Sequence, residues 1–273
     1  MILFLKEIKD IFIHRDLLYH LALRELKIRY KYPFLGFLWM LFVPLSMVFI
    51  FKLVFSTIIK ISVPAYPFFI YLITGVFPWN YLAMSLSQAT TSLVDNSNLI
   101  KKVYFPREVI PLSIILGNFF SFLIVMILML ILVPFLGLRY GYHNLFLPLV
   151  IILHTLFISG LVFISSSLQV LYRDVKYVVE IILLLWFYIT PIFYPLSLAE
   201  EISPQFFKLY MLNPLAGLIT LYRIAILPEF VSTLPKTLNI IHLFFYSVVV
   251  CIIFFLIGIL VFKKYDKMIS DFV

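Results

Sequence analysis

The chain has 273 residues, of which 64% are hydrophobic and only 12% are charged. Soluble domains carry about 45–50% apolar and about 25% charged residues, because a soluble fold must cover its surface with polar side chains. This composition excludes a soluble enzyme, a secreted domain and a disordered tail, and it predicts an integral membrane protein. The single cysteine, Cys251, also excludes an internal disulfide framework and a cysteine-rich metal site.

Residues 1–33 precede the first long apolar stretch and are predicted to form amphipathic helices at the inner membrane interface. In the first helix, apolar residues recur at helical spacing opposite Lys6, Lys9 and Asp10. Those apolar residues are Phe4, Leu5, Ile8, Ile11 and Phe12. Asp16 is expected to cap a second helix that leads into the first span. Two interpretations remain open: a basic membrane anchor, or a surface on which a partner docks.

Six apolar stretches are long enough to cross a bilayer, which requires about 20 apolar residues in a helix. They are Phe34–Thr57, Tyr66–Ala89, Val109–Leu138, Leu145–Leu171, Val178–Pro195 and Asn239–Phe262. They are too long and too uniformly apolar for the alternating strands of a β-barrel, which are about 10 residues each. The sequence therefore predicts an all-α integral membrane protein with six transmembrane helices.

The distribution of basic residues predicts the orientation, because cytoplasmic loops carry an excess of Lys and Arg. With the N-terminus in the cytoplasm, six of the 21 basic residues fall outside. They are Lys52, Lys60, Arg139, Lys208, Arg223 and Lys236. The remaining basic residues lie inside, so both termini are predicted to be cytoplasmic.

The connector between spans two and three is predicted to form a short cytoplasmic helix over residues 97–106. Asn96, Ser97 or Asn98 can cap this helix, and Pro106 is expected to end it. The predicted docking residues are Asn98, Leu99, Ile100, Lys101, Lys102, Val103, Tyr104 and Phe105. Such a peg suits a helix-in-groove contact with a soluble partner. An interfacial loop anchored by its lysines is the alternative.

Phe206–Leu227 imitates a seventh span, but Asn213–Pro214 breaks its middle, and Lys208 and Arg223 would lie in hydrocarbon. We predict instead that residues 196–228 form short re-entrant helices in the outer leaflet. Non-helical backbone survives at that depth only where protein or a water-filled cavity satisfies it. Such a segment is therefore expected to line a path.

The starts of these short helices are readable from capping residues. Ser197 and Glu200 have the spacing of a capping box. Ser203–Pro204 and Asn213–Pro214 each place a capping side chain directly before a proline, the arrangement typical of a helix start.

Several kinds of chemistry are absent from the sequence. The eight glycines do not form a phosphate-binding P-loop, so the chain is not expected to hydrolyse ATP by itself. Few ionisable residues lie inside the predicted spans, which argues against a secondary carrier. The lone membrane histidines, His154 and His242, are interpreted as packing residues rather than members of a proton relay. No carboxylate pair suggests a membrane enzyme.

Aromatic residues are abundant, with 30 Phe, 17 Tyr and 3 Trp. Many belong to interface belts, but others lie deeper in the predicted spans. The candidates for a substrate path are Trp39, Phe77, Trp79, Tyr81, Trp186, Phe187, Tyr188 and Tyr194. Flat aromatic faces suit the sliding of sugars, and they equally suit lipid contact and core packing.

Four separated motifs carry a resemblance to a known family. They are DLLYHLALRELKIRYKYPFLGFLWMLFVPL, NLIKKVYFPREVIPL, LYRDVKYVVEIILLLWFYITPIFYP and LNPLAGLITLYR. In this order, and over nearly the whole chain, they resemble the permease subunit of ABC-2 type exporters. The most similar branch exports O-antigen, capsular polysaccharide or teichoic acid.

The resemblance implies a half-transporter in the inner membrane that forms a homodimer and binds two copies of a separate ATPase. That partner would bind ATP and Mg²⁺, so no cofactor is expected in this chain, and no nucleic acid. The resemblance also implies that Leu99–Pro106 is the coupling helix, that 196–228 is an outer gate, and that the first and fifth spans enclose the channel at the dimer axis. The alternatives are a permease for a drug or another lipid, and a membrane-embedded glycolipid transferase or polymerase.

Overall fold

The computed structural model describes residues 15–29, 33–60, 67–135, 140–235 and 237–272, and all regular structure in these ranges is helical. The α-helices are α1 Arg15–Arg29, α2 Pro33–Phe51, α3 Phe68–Asp95, α4 Ser97–Lys102, α5 Val109–Phe135, α6 Leu147–Leu171, α7 Val175–Ile189, α8 Ser197–Ile202, α9 Pro204–Tyr210, α10 Pro214–Ile226 and α11 Ile240–Phe272. A π-helix, Lys52–Ile58, continues α2, and 3-10 helices cover Tyr142–Phe146 and Pro228–Thr233. The amphipathic helix predicted at Phe4–Phe12 lies outside the described residues.

Within the described ranges, five helical stretches are long and apolar enough to cross a bilayer. They are Leu41–Ile58, Phe68–Asp95, Val109–Phe135, Tyr142–Leu171 and Ile240–Asp266. Taken together, the helices Pro204–Tyr210 and Pro214–Ile226 are also long and apolar enough to cross a bilayer, but the pair is bent by 90°. The protein is therefore an all-α integral membrane protein.

Five predicted spans coincide with these helices, although their ends differ. α3 continues past Ala89 to Asp95, because Thr90 and Ser92 are buried and each hydroxyl donates to a backbone carbonyl of the same helix. α11 continues past Phe262 to Phe272. The predicted ends at Tyr66 and Leu138 fall outside the described residues.

The fifth predicted span, Val178–Pro195, needs correction. α7 covers Val175–Ile189 and has 15 residues, which corresponds to about 22 Å at 1.5 Å per residue. The helix ends because Pro191 disfavours helical geometry at Thr190, which is extended, with φ −94° and ψ 139°. Residues 190–195 therefore form a non-helical segment, which we call the 190–195 segment.

α3 is the central helix of the bundle, and nearly all of its first half is buried against α2, α5, α6, α7 and α10. α6 and α11 cross at two glycines. A Cβ atom on Gly160 would lie 2.7 Å from the backbone nitrogen of Phe255, and one on Gly258 would lie 2.7 Å from the Cα atom of Gly160. Small residues at such a crossing let two membrane helices pack backbone to backbone.

Polar side chains also join the buried faces of the bundle. Thr90 donates to Ser165 at 2.9 Å between α3 and α6. His154 is buried, and its Nδ1 lies 3.2 Å from the hydroxyl of Tyr222. The location of His154 agrees with a packing residue, as predicted.

Candidate functional site

The segment between α7 and α11 contains three short helices, α8, α9 and α10. Two of them begin where the sequence predicts. The Ser203 hydroxyl accepts a hydrogen bond from the backbone N–H of Phe206 at 3.0 Å, and Asn213 Oδ1 accepts from Leu215 N–H at 3.1 Å. The predicted capping box at Ser197 is wrong, because Leu196 occupies the N-cap and makes no side-chain cap hydrogen bond.

Arg223, on α10, is completely buried. Its Nη1 donates to the Tyr71 hydroxyl and to the Pro191 carbonyl, both at 2.7 Å, and its Nη2 donates to the Ile192 carbonyl at 2.8 Å. The guanidinium also stacks 3.5 Å above the centre of the Tyr71 ring. Among the described residues, no carboxylate lies within 4.0 Å of this cation.

These contacts satisfy backbone that has lost its helical partners. The 190–195 segment contains two prolines and follows the end of α7, so its carbonyls need other donors. Arg223 supplies donors to two of them, and the Tyr71 hydroxyl donates to the Tyr194 carbonyl at 2.7 Å. Irregular backbone within a membrane protein persists only where protein or water satisfies it in this way. Arg223 and Tyr71 therefore connect α10 and α3 to the 190–195 segment.

Asn213 forms a second connection at the start of α10. Its Oδ1 accepts from Trp186 Nε1 at 2.8 Å, and its Nδ2 donates to the Thr190 hydroxyl at 3.1 Å. Trp186, a candidate path residue, thus belongs to the network that joins α7 to α10. Three side chains thus contact oxygens in residues 190–194. We call this network the anchor; its side chains are Asn213, Arg223 and Tyr71.

Four of the predicted path residues need correction, because they are buried inside the single chain: Phe77, Trp79, Tyr81 and Phe187. The Trp79 and Phe187 rings pack edge to face at 5.3 Å, and Tyr81 stacks on Phe122 at 4.8 Å. The reason is the central position of α3, which is surrounded by other helices. Trp39 and Tyr188 are exposed, at 56% and 58%, and Trp186 and Tyr194 are half-buried.

The predicted docking peg, residues 97–106, contains the helix α4, which is shorter than expected. The helix ends at Lys102, because Val103 adopts an extended conformation well before Pro106. Five predicted docking residues are exposed: Asn98, Lys101, Lys102, Val103 and Tyr104. An open cleft of about 310 Å³ lies beside them, lined by residues 100–105 and by Arg107.

Three of the predicted docking residues contact their own chain instead. Leu99 and Ile100 are half-buried against a core cluster that includes Leu93 and Phe262, and Phe105 is itself buried in that cluster. Helical spacing identifies an apolar face but does not show whether that face meets a partner or the rest of the same chain.

Two polar contacts hold the peg between α1 and α11. Arg24 on α1 donates to Asn96 Oδ1 at 2.8 Å, directly before α4. Arg107, directly after the peg, forms an ion pair of 2.9 Å with Asp266 on α11. Sequence reasoning missed both contacts, because the partners are far apart in the chain.

The geometry defines a multi-pass helical membrane protein with a solvent-facing peg and an anchored re-entrant segment. A family model described as ABC-2 type transporter matches residues 16–227, from the start of α1 to the end of α10. The match covers most of the chain, so this protein belongs to the ABC-2 type transporter family, whose members are the membrane subunits of transporters.

The chain is similar to curated proteins named O-antigen export system permease protein RfbA. It is 33% identical to that of Myxococcus xanthus, over 79% of this chain and 82% of the relative. It is 34% identical to one from Klebsiella pneumoniae, over 76% of this chain and 79% of the relative. The Escherichia coli polysialic acid transport protein KpsM is more distant, at 25% identity over 78% of this chain and 81% of the relative.

Proposed function

We propose that this protein is the membrane-spanning subunit of an ATP-driven exporter that moves a lipid-linked polysaccharide, such as O-antigen, across the inner membrane. The observation that carries the proposal is the similarity to permeases named for O-antigen export, at 33–34% identity over more than three quarters of the chain. The similarity to a polysialic acid transport protein supports the same substrate class. Both termini would lie in the cytoplasm, as the basic residues predict.

Energy would come from two copies of a separate cytoplasmic ATPase, which bind ATP and Mg²⁺. The exposed part of the peg, with Val103 and Tyr104 beside Lys101 and Lys102, is the proposed docking surface. Its apolar tip and basic rim suit a groove with acidic edges on the partner.

The channel would form between two copies of this chain. α7 fully buries the stripe Val179, Leu183 and Phe187 against its own chain. Exposed apolar side chains elsewhere on α7 and on the described part of α2 include Phe42, Val43, Phe49, Ile50, Ile181, Ile182, Leu184 and Leu185. We propose that a second copy meets part of these faces, and that Trp39 and Tyr188 line the channel beside them.

The test is deletion of the gene in its native cell, followed by complementation. We expect the deletion to remove surface polysaccharide and to leave polymer inside, and we expect the wild-type gene to restore export only together with an active ATPase partner. An ATPase variant that cannot hydrolyse ATP is the control. Unchanged surface polymer in the deletion strain would contradict the proposal, and a changed sensitivity to drugs would then favour the alternative cargo.

A further inference from the structure

The re-entrant segment has two mechanically different halves. Resting on the proposed export function, we propose that α8 and α9 are the part that moves when substrate passes. In this proposal α10 stays fixed in the bundle, and Arg223 is the positioning residue that holds it.

The first argument is the burial of α10. Every residue of Leu215–Ile226 is buried, and the helix packs on α3, α6 and α11. A Cβ atom added at Gly217 would lie 2.8 Å from the Ser247 hydroxyl of α11, which shows how close the two helices approach. Moving α10 would expose these apolar side chains and would strip a buried cation of its acceptors.

The second argument is the anchor. Arg223 makes hydrogen bonds to three oxygens and stacks on Tyr71, while Asn213 bridges Trp186 and Thr190. Hydrogen bonds from a charged donor are roughly twice as strong as neutral ones. The anchor therefore joins α3, α7 and α10 into one unit, and the 190–195 segment belongs to that unit.

α8 and α9, by contrast, pack chiefly against each other. Their core is a small separate cluster of Leu196, Ala199 and Phe207, with Leu234 and Leu238 beside it. The other apolar side chains of this pair are exposed, namely Leu198, Ile202, Phe206 and Leu209. The pair thus loses little burial when it moves.

Single hydrogen bonds tie this pair to its surroundings. The hydroxyls of Tyr194 and Tyr210 lie 2.8 Å apart, and the Thr237 hydroxyl donates to Glu200 at 2.6 Å. A third bond, from the Tyr246 hydroxyl to the Leu212 carbonyl at 2.7 Å, holds the turn that follows α9. The 90° bend between α9 and α10 begins immediately after Tyr210. Movement of α8 and α9 about this bend breaks these bonds and leaves the anchor intact.

Two engineered locks distinguish the halves. Both are built in a Cys251→Ser background, so that no other cysteine reacts. The first lock joins Glu200→Cys to Thr237→Cys with a short bifunctional thiol reagent and fixes the proposed moving half. The second lock is a disulfide between Gly217→Cys and Ser247→Cys, where the close approach of the two positions suits a disulfide. It fixes α10 to α11.

We expect the first lock to reduce export by about tenfold or more, as expected when a gating element is immobilised, and we expect a cleavable reagent to restore export on reduction. The second lock should leave export within about twofold of the Cys251→Ser parent, because α10 does not move. Undiminished export with the first lock, or loss with the second, overturns the inference. A parent that exports no polysaccharide in cells with an active ATPase overturns the proposed function instead.

The role of Arg223 has its own readout. Arg223→Gln is added to the variant that carries Gly217→Cys and Ser247→Cys. It should slow disulfide formation between these two positions at equal membrane abundance, since α10 is less well positioned. Arg223→Lys should restore part of the rate. Where Arg223→Gln lowers abundance, Tyr71→Phe is used, because it removes one hydroxyl and keeps the ring under the guanidinium. An unchanged cross-linking rate in the variants overturns the positioning role.

Discussion

The burial and the contacts of Arg223 could not be predicted from the sequence, because its partners have no sequence signature. Two of its acceptors are backbone carbonyls 31 and 32 residues away, and the third is the hydroxyl of Tyr71 on another helix. Counting charges assigns an arginine to one side of the membrane and does not show whether its side chain is buried. Burial of a guanidinium is tolerated here because its donors replace helical hydrogen bonds that the prolines of the 190–195 segment remove.

Gly75 gives a test of this arrangement at the residue scale. A Cβ atom there would lie 2.9 Å from Arg223 Nη2 and 3.1 Å from the Ile192 carbonyl oxygen. Gly75→Ala should therefore destabilise the protein by about 1–3 kcal/mol, since overpacking must displace the anchor. The measurement is the midpoint of thermal unfolding of the purified protein in detergent.

Gly117→Ala is the matched control for this prediction. The nearest atoms to its added Cβ lie 3.7 and 3.8 Å away, which is ordinary contact. Because alanine favours a helix more than glycine does, by up to about 1 kcal/mol, this variant should be as stable as the parent or more stable. Equal midpoints for the two variants would contradict the tight packing proposed around Arg223.

At the scale of secondary-structure elements, the sequence reveals contacts between neighbouring residues. It does not reveal contacts between helices that are distant in the chain. Ser203 and Asn213 start helices as predicted, because a capping hydrogen bond spans only two or three residues. The predicted end of the fifth span is wrong, because apolar side chains continue past Ile189 whereas Pro191 disfavours helical geometry at the residue before it. The inward packing of Leu99 and Ile100 depends on helices distant in sequence, so the pattern alone could not reveal it.

The ion pair between Arg107 and Asp266 joins the peg to α11, and we expect it to transmit movement of the ATPase to the bundle. Asp266→Asn should change stability by no more than about 1 kcal/mol, because the pair is partly exposed. It should nevertheless lower the amount of polymer exported per ATP hydrolysed, measured in cells or in vesicles with the partner present. Asp16→Asn, in the exposed pair with Arg15, is the control and should change neither quantity. Normal export by Asp266→Asn would refute the transmission role.

At the scale of the whole molecule, hydropathy identifies a membrane protein. It does not show which face of each helix is buried in the bundle and which is exposed. A helix that is apolar all round does not reveal which side meets lipid, a channel or its neighbours. For this reason, Trp79 and Tyr188 are equally good candidates for a substrate path in the sequence, whereas in the structure Trp79 is buried and Tyr188 is exposed.

This difference predicts two outcomes for the same chemical change. Trp39→Leu and Tyr188→Leu should reduce surface polysaccharide at normal membrane abundance, because they remove exposed flat faces and little packing. Trp79→Leu should lower stability by on the order of 2 kcal/mol and reduce abundance together with export, since it leaves a cavity beside Phe187. Immunoblots of membranes and of surface polymer separate the two. Full export by both exposed-residue variants would remove the aromatic path from the proposal.

The proposed docking of an ATPase partner depends on which side of the peg is exposed. Val103 is 51% exposed and Tyr104 is fully exposed, so both are available to a partner. Changing both to Asp removes apolar contact worth on the order of 3 kcal/mol, which corresponds to roughly hundredfold weaker binding.

We expect the Val103→Asp and Tyr104→Asp double variant to lose the co-purifying ATPase while the permease keeps its abundance and thermal midpoint. Leu99→Asp is the contrasting variant, because Leu99 packs on its own core cluster, where a carboxylate is poorly solvated. It should lower the stability of the permease even when the ATPase is absent. Retention of the ATPase by the double variant at wild-type levels would show that another surface of the chain carries the contact.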